Sequence, residues 1–209
     1  MWLGATVAAS FLVLIIFGVE IYRTAPPFPT KIVVSDGEVL YEGQDIKDGQ
    51  NVWQSMGGQT VGSIWGHGAY IAPDWNADYL HRETEMLLDL LAQKDGKTYK
   101  DLPEDEQAKY LVQLRKELRT NTYDAASGVI TFSPERAQVA RALADYYTKL
   151  FMDDPSMDHV RKSYAIPKGA IKDPARMAQM NAFFTWTTWV CSTNRPGSDV
   201  TYTNNWPYE

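Results

Sequence analysis

Three histidines, one cysteine and a scatter of methionines are the side chains here whose types could do metal or haem chemistry. His67 lies in Gly66-His67-Gly68-Ala69-Tyr70, a tight loop whose glycines let the backbone approach a ligand closely. The plain alternative is a turn carrying a surface histidine. His81 and Glu85 stand four residues apart on a predicted helix and could share a metal, but one such pair lacks the further ligands of a zinc site. A solvated helix face explains them better. His159 stands alone in a predicted loop. Met152, Met157, Met177 and Met180 could offer axial thioethers, although methionine at helical spacing is usually core filling. No Cys-x-x-Cys-His is present, so haem cannot be attached in the c-type manner. Cys191 is a lone thiol among Trp189 and Thr193, read as a small buried residue. No Ser/His/Asp or Cys/His arrangement suggests nucleophilic catalysis.

The elements that must position these residues are mostly helical. After Ala25-Pro26-Pro27-Phe28-Pro29, a stiff extended linker, Ile32-Val34 and Val39-Tyr41 read as a short hairpin with its turn at Asp36-Gly37. Asp45 to Met56 is a short helix candidate stopped by Gly57-Gly58. The glycines and aromatics from Gly57 to Trp75 form an ordered contact loop. Four helices follow. One runs from Trp75 to Gln93, and the next from Asp101 or Leu102, with Glu104-Asp105-Glu106 favouring its positive end. A third is capped by Ser133 with Pro134 in its first turn, and a fourth opens at Asp173-Pro174 and runs toward Cys191. Gly128-Phe132 is a brief strand. Phe183 to Val190 is too short to cross a bilayer and reads as a buried amphipathic or interfacial helix.

Composition sets the class. The chain has 209 residues, 44% hydrophobic, with net charge -6. An acidic chain without a basic run is a poor partner for nucleic acid. From Met1 to Val19 no side chain ionises. As a helix, Trp2 to Ile21 would span roughly 30 Å at about 1.5 Å per residue, the thickness of a bilayer core. No Lys or Arg precedes the apolar run, and prolines follow the only small residue suited to cleavage. Residues 1–23 therefore read as a retained transmembrane anchor rather than a signal peptide. Residues 24–31 are the linker, and 32–209 a single domain. Arg23 and Lys31 lie beyond the anchor, so the positive-inside rule taken alone would put the domain in the cytoplasm.

Two stretches resemble the signature of quinol-dependent nitric-oxide reductases. One is Gly49-Gln50-x-x-Trp53-Gln54 followed by Gly66-His67-Gly68-Ala69-Tyr70-x-Ala72-Pro73-Asp74-Trp75. The other is Ser192-Thr193-Asn194-Arg195-Pro196 with Tyr202-Thr203-Asn204-Asn205-Trp206-Pro207-Tyr208. The Tyr22-Arg23-x-Ala25-Pro26-Pro27 exit from the anchor is similar as well. The resemblance implies a mainly α chain: a transmembrane helix, then a cytochrome c-like helical domain with a small β hairpin. It implies the periplasmic side of a bacterial inner membrane.

In relatives the haem-attachment pentapeptide falls on Gly58-Gln59-Thr60-Val61-Gly62, where neither cysteine nor the histidine remains, so the domain has lost its haem c. The resemblance also implies a calcium ion bound through the Gly68 and Tyr70 carbonyl oxygens. The implied partner is a haem-copper-oxidase-like catalytic membrane domain holding haem b, haem b3 and non-haem iron. That part takes electrons from quinol and reduces nitric oxide to nitrous oxide, so this chain alone would be inactive and would cap and stabilise it. Other readings are a free-standing membrane-anchored ligand- or partner-binding module, a carrier of non-covalent haem held by His67 and a methionine, and a nitric-oxide dismutase relative.

Overall fold

The computed structural model describes residues 2–204. The last part of the second signature stretch, Asn205 to Tyr208, lies outside them. Helix α1 (Trp2–Thr24) carries no buried residue, and its length and apolarity are those of a membrane span. It runs past the expected boundary at residue 23, and Thr24 closes its last turn by donating to Glu20 O at 2.8 Å.

The expected hairpin forms from β1 (Lys31–Val34) and β2 (Val39–Glu42). Gly37 adopts φ +95° at its turn, where Val34 N–H donates to Glu38 O. It grows into something larger. Strand β1 also pairs in parallel with β6 (Val129–Phe132), which pairs with β5 (Tyr123–Asp124), giving a four-stranded sheet in the order β2-β1-β6-β5. Ile32, Val34, Ile130 and Phe132 bury its inner face, the period-two pattern of a half-covered sheet.

Helix α2 (Gly43–Ser55) starts two residues earlier than the expected Asp45. Helix α3 (Trp75–Lys94) is capped by Asp74. Helix α4 (Glu104–Arg119) begins after Pro103 rather than at Asp101 or Leu102, because residues 99–101 form a separate 3-10 turn. Helix α5 (Pro134–Phe151) has the Ser133 cap and the proline in its first turn. A further short helix, α6 (Asp158–Ser163), takes His159 out of the loop expected for it.

Helix α7 (Pro174–Ser192) bears out the buried reading of Phe183–Val190 and corrects the amphipathic and interfacial ones. Every residue from Met180 to Ser192 is buried, so this part of the helix has no wet face, while its first turn is exposed. Helices α2, α3 and α5 wrap it. Helix α2 comes close because Gly49 lies directly on the Gln179 carbonyl, where a side chain would collide. Polar residues inside such a helix need partners. Thr185 donates back to Asn181 O at 2.8 Å and meets Tyr79 Oη at 3.1 Å.

One ion pair is fully interior. Arg136 Nε donates to Glu83 Oε1 at 2.8 Å, its guanidinium lies 4.4 Å from the Phe132 ring centroid, and both side chains are 3% exposed or less. Burial pushes the Glu83 carboxyl up from its ordinary value of 4.5, against the opposing pull of Arg136. Arg136→Ala would strand a buried carboxyl and is expected to cost about 3–5 kcal/mol in denaturant unfolding. Because the folded-state pKa is raised, the Glu83 contribution is complete below its unfolded value and declines as pH rises through the folded one. Glu83→Gln should flatten that part of the stability profile, and an unchanged profile would remove Glu83 from it.

Candidate functional site

The sequence singles out residues 57–75, and the structure shows how that stretch is held. Strands β3 (Ser63–Ile64) and β4 (His67–Gly68) pair across a two-residue turn at Trp65-Gly66. Both turn residues have positive φ, +53° and +76°, as a type I′ turn requires. A tryptophan in that conformation is strained and persists only where its surroundings over-determine it. They do. Trp65 N–H donates to Asn76 Oδ1 at 2.9 Å, its indole Nε1 donates to Thr187 O at 3.0 Å, and its ring lies 5.8 Å from that of Trp186.

Asp74 organises the rest. Its Oδ2 accepts from Ser63 Oγ and from Gly66 N–H, both at 2.7 Å, while Oδ1 accepts from the Asn76 and Ala77 amides at the start of α3. One carboxylate therefore caps a helix and clamps the turn. Asn76 extends the link by donating to Thr187 Oγ1 of α7 at 2.7 Å. Ala69 N–H reaches back to Gln59 O at 2.8 Å. Gly68 has φ +149°, and a Cβ there would meet Gly62 O and Ser63. The tip is left open to solvent: Tyr70 is 93% and Ile71 60% exposed.

Beside the loop a cleft of about 360 Å³ is floored by Phe28, Trp53, Ile64, Trp65, Phe183 and Trp186, and rimmed by Gln50, Gln54, Gln59 and His67. Phe28 brings the linker to this cleft. Its ring lies 4.1 Å from that of Trp186, whose Nε1 donates to Pro27 O at 3.1 Å.

Other candidate residues disperse. His81 Nε2 stands 3.7 Å from Glu85 on an open helix face, and His159 is exposed on α6. Met177 and Met180 are core residues, and Met152 and Met157 pack against the core. Among the described residues, the cleft that His67 borders contains no methionine. Among those residues no three His, Cys, Asp or Glu side chains gather as a metal site. Cys191 is buried, and burial pushes its thiol up to about 12, which makes it inert. Asp74 and Asn76 are the functional positions that sequence reasoning missed. Asp74 carried a local signal as a helix cap, but the reach of its second oxygen into the turn depends on three-dimensional closure.

A helical domain follows an apolar helix long enough to cross a membrane, and its clamped glycine-aromatic loop lies beside the linker at Trp186. The chain belongs to a specific family: residues 29–208 match the NorB cytochrome c-like domain of nitric oxide reductase. A search of curated proteins returns no match.

The family's fold raises the question of a covalent haem, and these residues do not fit one. Gly58 and Gly62 stand where the resemblance places the first cysteine and the histidine of the attachment segment. A Cβ on Gly58 would run into the Trp53 ring, and one on Gly62 would stand 2.5 Å from Trp75 Nε1 and Pro73 O. Trp75 is fully buried, stacked on Phe184 and edge-on to Trp53 and Tyr147. An aromatic cluster fills the space beside the segment.

Asp74→Ala removes a helix cap, typically about 1 kcal/mol, and two clamps on the turn at about 1 kcal/mol each. A loss of about 2–4 kcal/mol in unfolding is expected from those contributions, with faster amide exchange concentrated in residues 63–71. Uniform exchange across the domain would show that Asp74 does no more than cap α3.

Proposed function

We propose that this chain is the membrane-anchored, extracytoplasmic part of a quinol-dependent nitric-oxide reductase, seated on the periplasmic face of a catalytic membrane portion. That portion would carry haem b, haem b3 and non-haem iron and convert nitric oxide to nitrous oxide with electrons from quinol. The observation that carries the reading is the family match over residues 29–208 in a chain whose attachment segment has lost its haem ligands. With no haem of its own to pass electrons from a soluble donor, the domain suits an enzyme fed from within the membrane. Its role is then structural: it caps the catalytic part and contributes to a calcium site.

Gly68 and Tyr70 would hold that calcium through backbone carbonyl oxygens, hard donors of the kind calcium takes. Tyr70 makes no hydrogen bond to any described residue, so its carbonyl is open to a ligand. Calcium needs roughly six to eight oxygens, and with no acidic cluster among the described residues most would come from the partner. The ion would act as an electrostatic rivet between the two parts.

The test is nitric oxide consumption by the chain co-expressed with the membrane portion of such an enzyme, using a quinol donor. Activity should depend on the chain, fall about tenfold or more with Gly68→Ala, and fall on chelation with recovery on adding calcium. A quinol-driven core that works equally without the chain would leave the free-standing binding-module reading ahead.

A further inference from the structure

The loop shows an unusual division of labour between backbone and side chain. Its base is fixed by Asp74, Asn76 and Gln59, as described above, yet its tip offers two adjacent apolar side chains to solvent. Tyr70 is 93% and Ile71 60% exposed, and neither folds back on the domain. Outside the anchor these are the two most exposed consecutive large hydrophobic residues among the described ones. Exposing such a pair is unfavourable in an isolated domain, and a rigid protrusion with an aromatic tip is how a preformed docking contact is built, since little ordering cost remains on binding.

Two surfaces could receive it, a bilayer or another polypeptide. Interfacial segments that enter lipid pair their apolar residues with lysines or arginines facing the headgroups. From Asp48 to His81 the chain contains neither. Lys47 flanks the stretch with its ammonium 6.0 Å from the Phe28 ring, and Arg82 is committed to Asp78 at 3.0 Å. A cation-free tip suits a protein surface better than an anionic membrane. The base of the loop and the linker out of the anchor meet at Trp186, which places the loop on the patch where the chain leaves α1.

Resting on the docking reading proposed above, we infer that the Tyr70-Ile71 side chains form the hydrophobic plug of the interface, seated in an apolar pocket of the membrane-embedded catalytic polypeptide. This contact is separate from any ion held by the loop's carbonyls, because it uses side chains and the ion uses backbone.

The buried Cys191 makes a clean probe possible. Ile71→Cys adds one accessible thiol for a polarity-sensitive dye on the full chain in nanodiscs. A blue shift that appears only when the catalytic polypeptide is co-incorporated supports the inference. A blue shift already present in lipid alone assigns the tip to the bilayer and overturns it, and no shift in either case overturns it too. In parallel, Ile71→Ser should keep the melting temperature of the chain alone but lower co-purification with the catalytic polypeptide about tenfold or more. Full co-purification of that variant sinks the plug while sparing the docking reading. Failure of the unaltered chain to co-purify sinks both.

Discussion

Helix α7 buries every side chain from Met180 to Ser192, and the remaining elements are arranged to make that burial tolerable. A helical stretch with no solvent face must be covered on all sides, so α2 closes over Gly49, α3 and α5 cover the flanks, and the linker lays Phe28 on Trp186. Its threonines must also be satisfied from within. Two of those partners, Tyr79 and Asn76, come from α3, and a third contact, the Trp65 indole, comes from the loop. The loop's geometry is thus a by-product of hydrating α7 with protein instead of water.

The space beside residues 58–62 has to be packed. Trp53 and Trp75 supply the volume, and Gly58 and Gly62 let their rings lie against the backbone. That packing holds the segment leading into the clamped turn.

Local signals were legible wherever the physics is local. The Ser133 cap, the helix start at Asp173-Pro174, the Asp36-Gly37 turn and the apolar anchor are readable because each acts within a few residues. The parallel pairing of β1 with β6 was hidden, since nothing in Lys31–Val34 identifies a partner at Val129–Phe132. Burial of α7 from Met180 to Ser192 was hidden for a related reason: Thr185 and Thr187 look like a polar face until their partners on α3 are known. For the site, the glycines and aromatics marked the loop, while the second oxygen of Asp74 and the amide of Asn76 became meaningful only in contact with it.

The β1–β6 ladder also sets an order of events during synthesis. Strand β1 follows the anchor directly, yet its partner begins at Val129 and the helix that closes the core ends at Ser192. The first strand to emerge must wait for its distant partner before it can pair, and most of the chain must be made before α7 seals the interior. A vectorial, element-by-element route is closed to such a topology, because its long-range contacts have to form together. The anchor, already fixed in the bilayer, then keeps the unfinished chain tethered in two dimensions while it collapses.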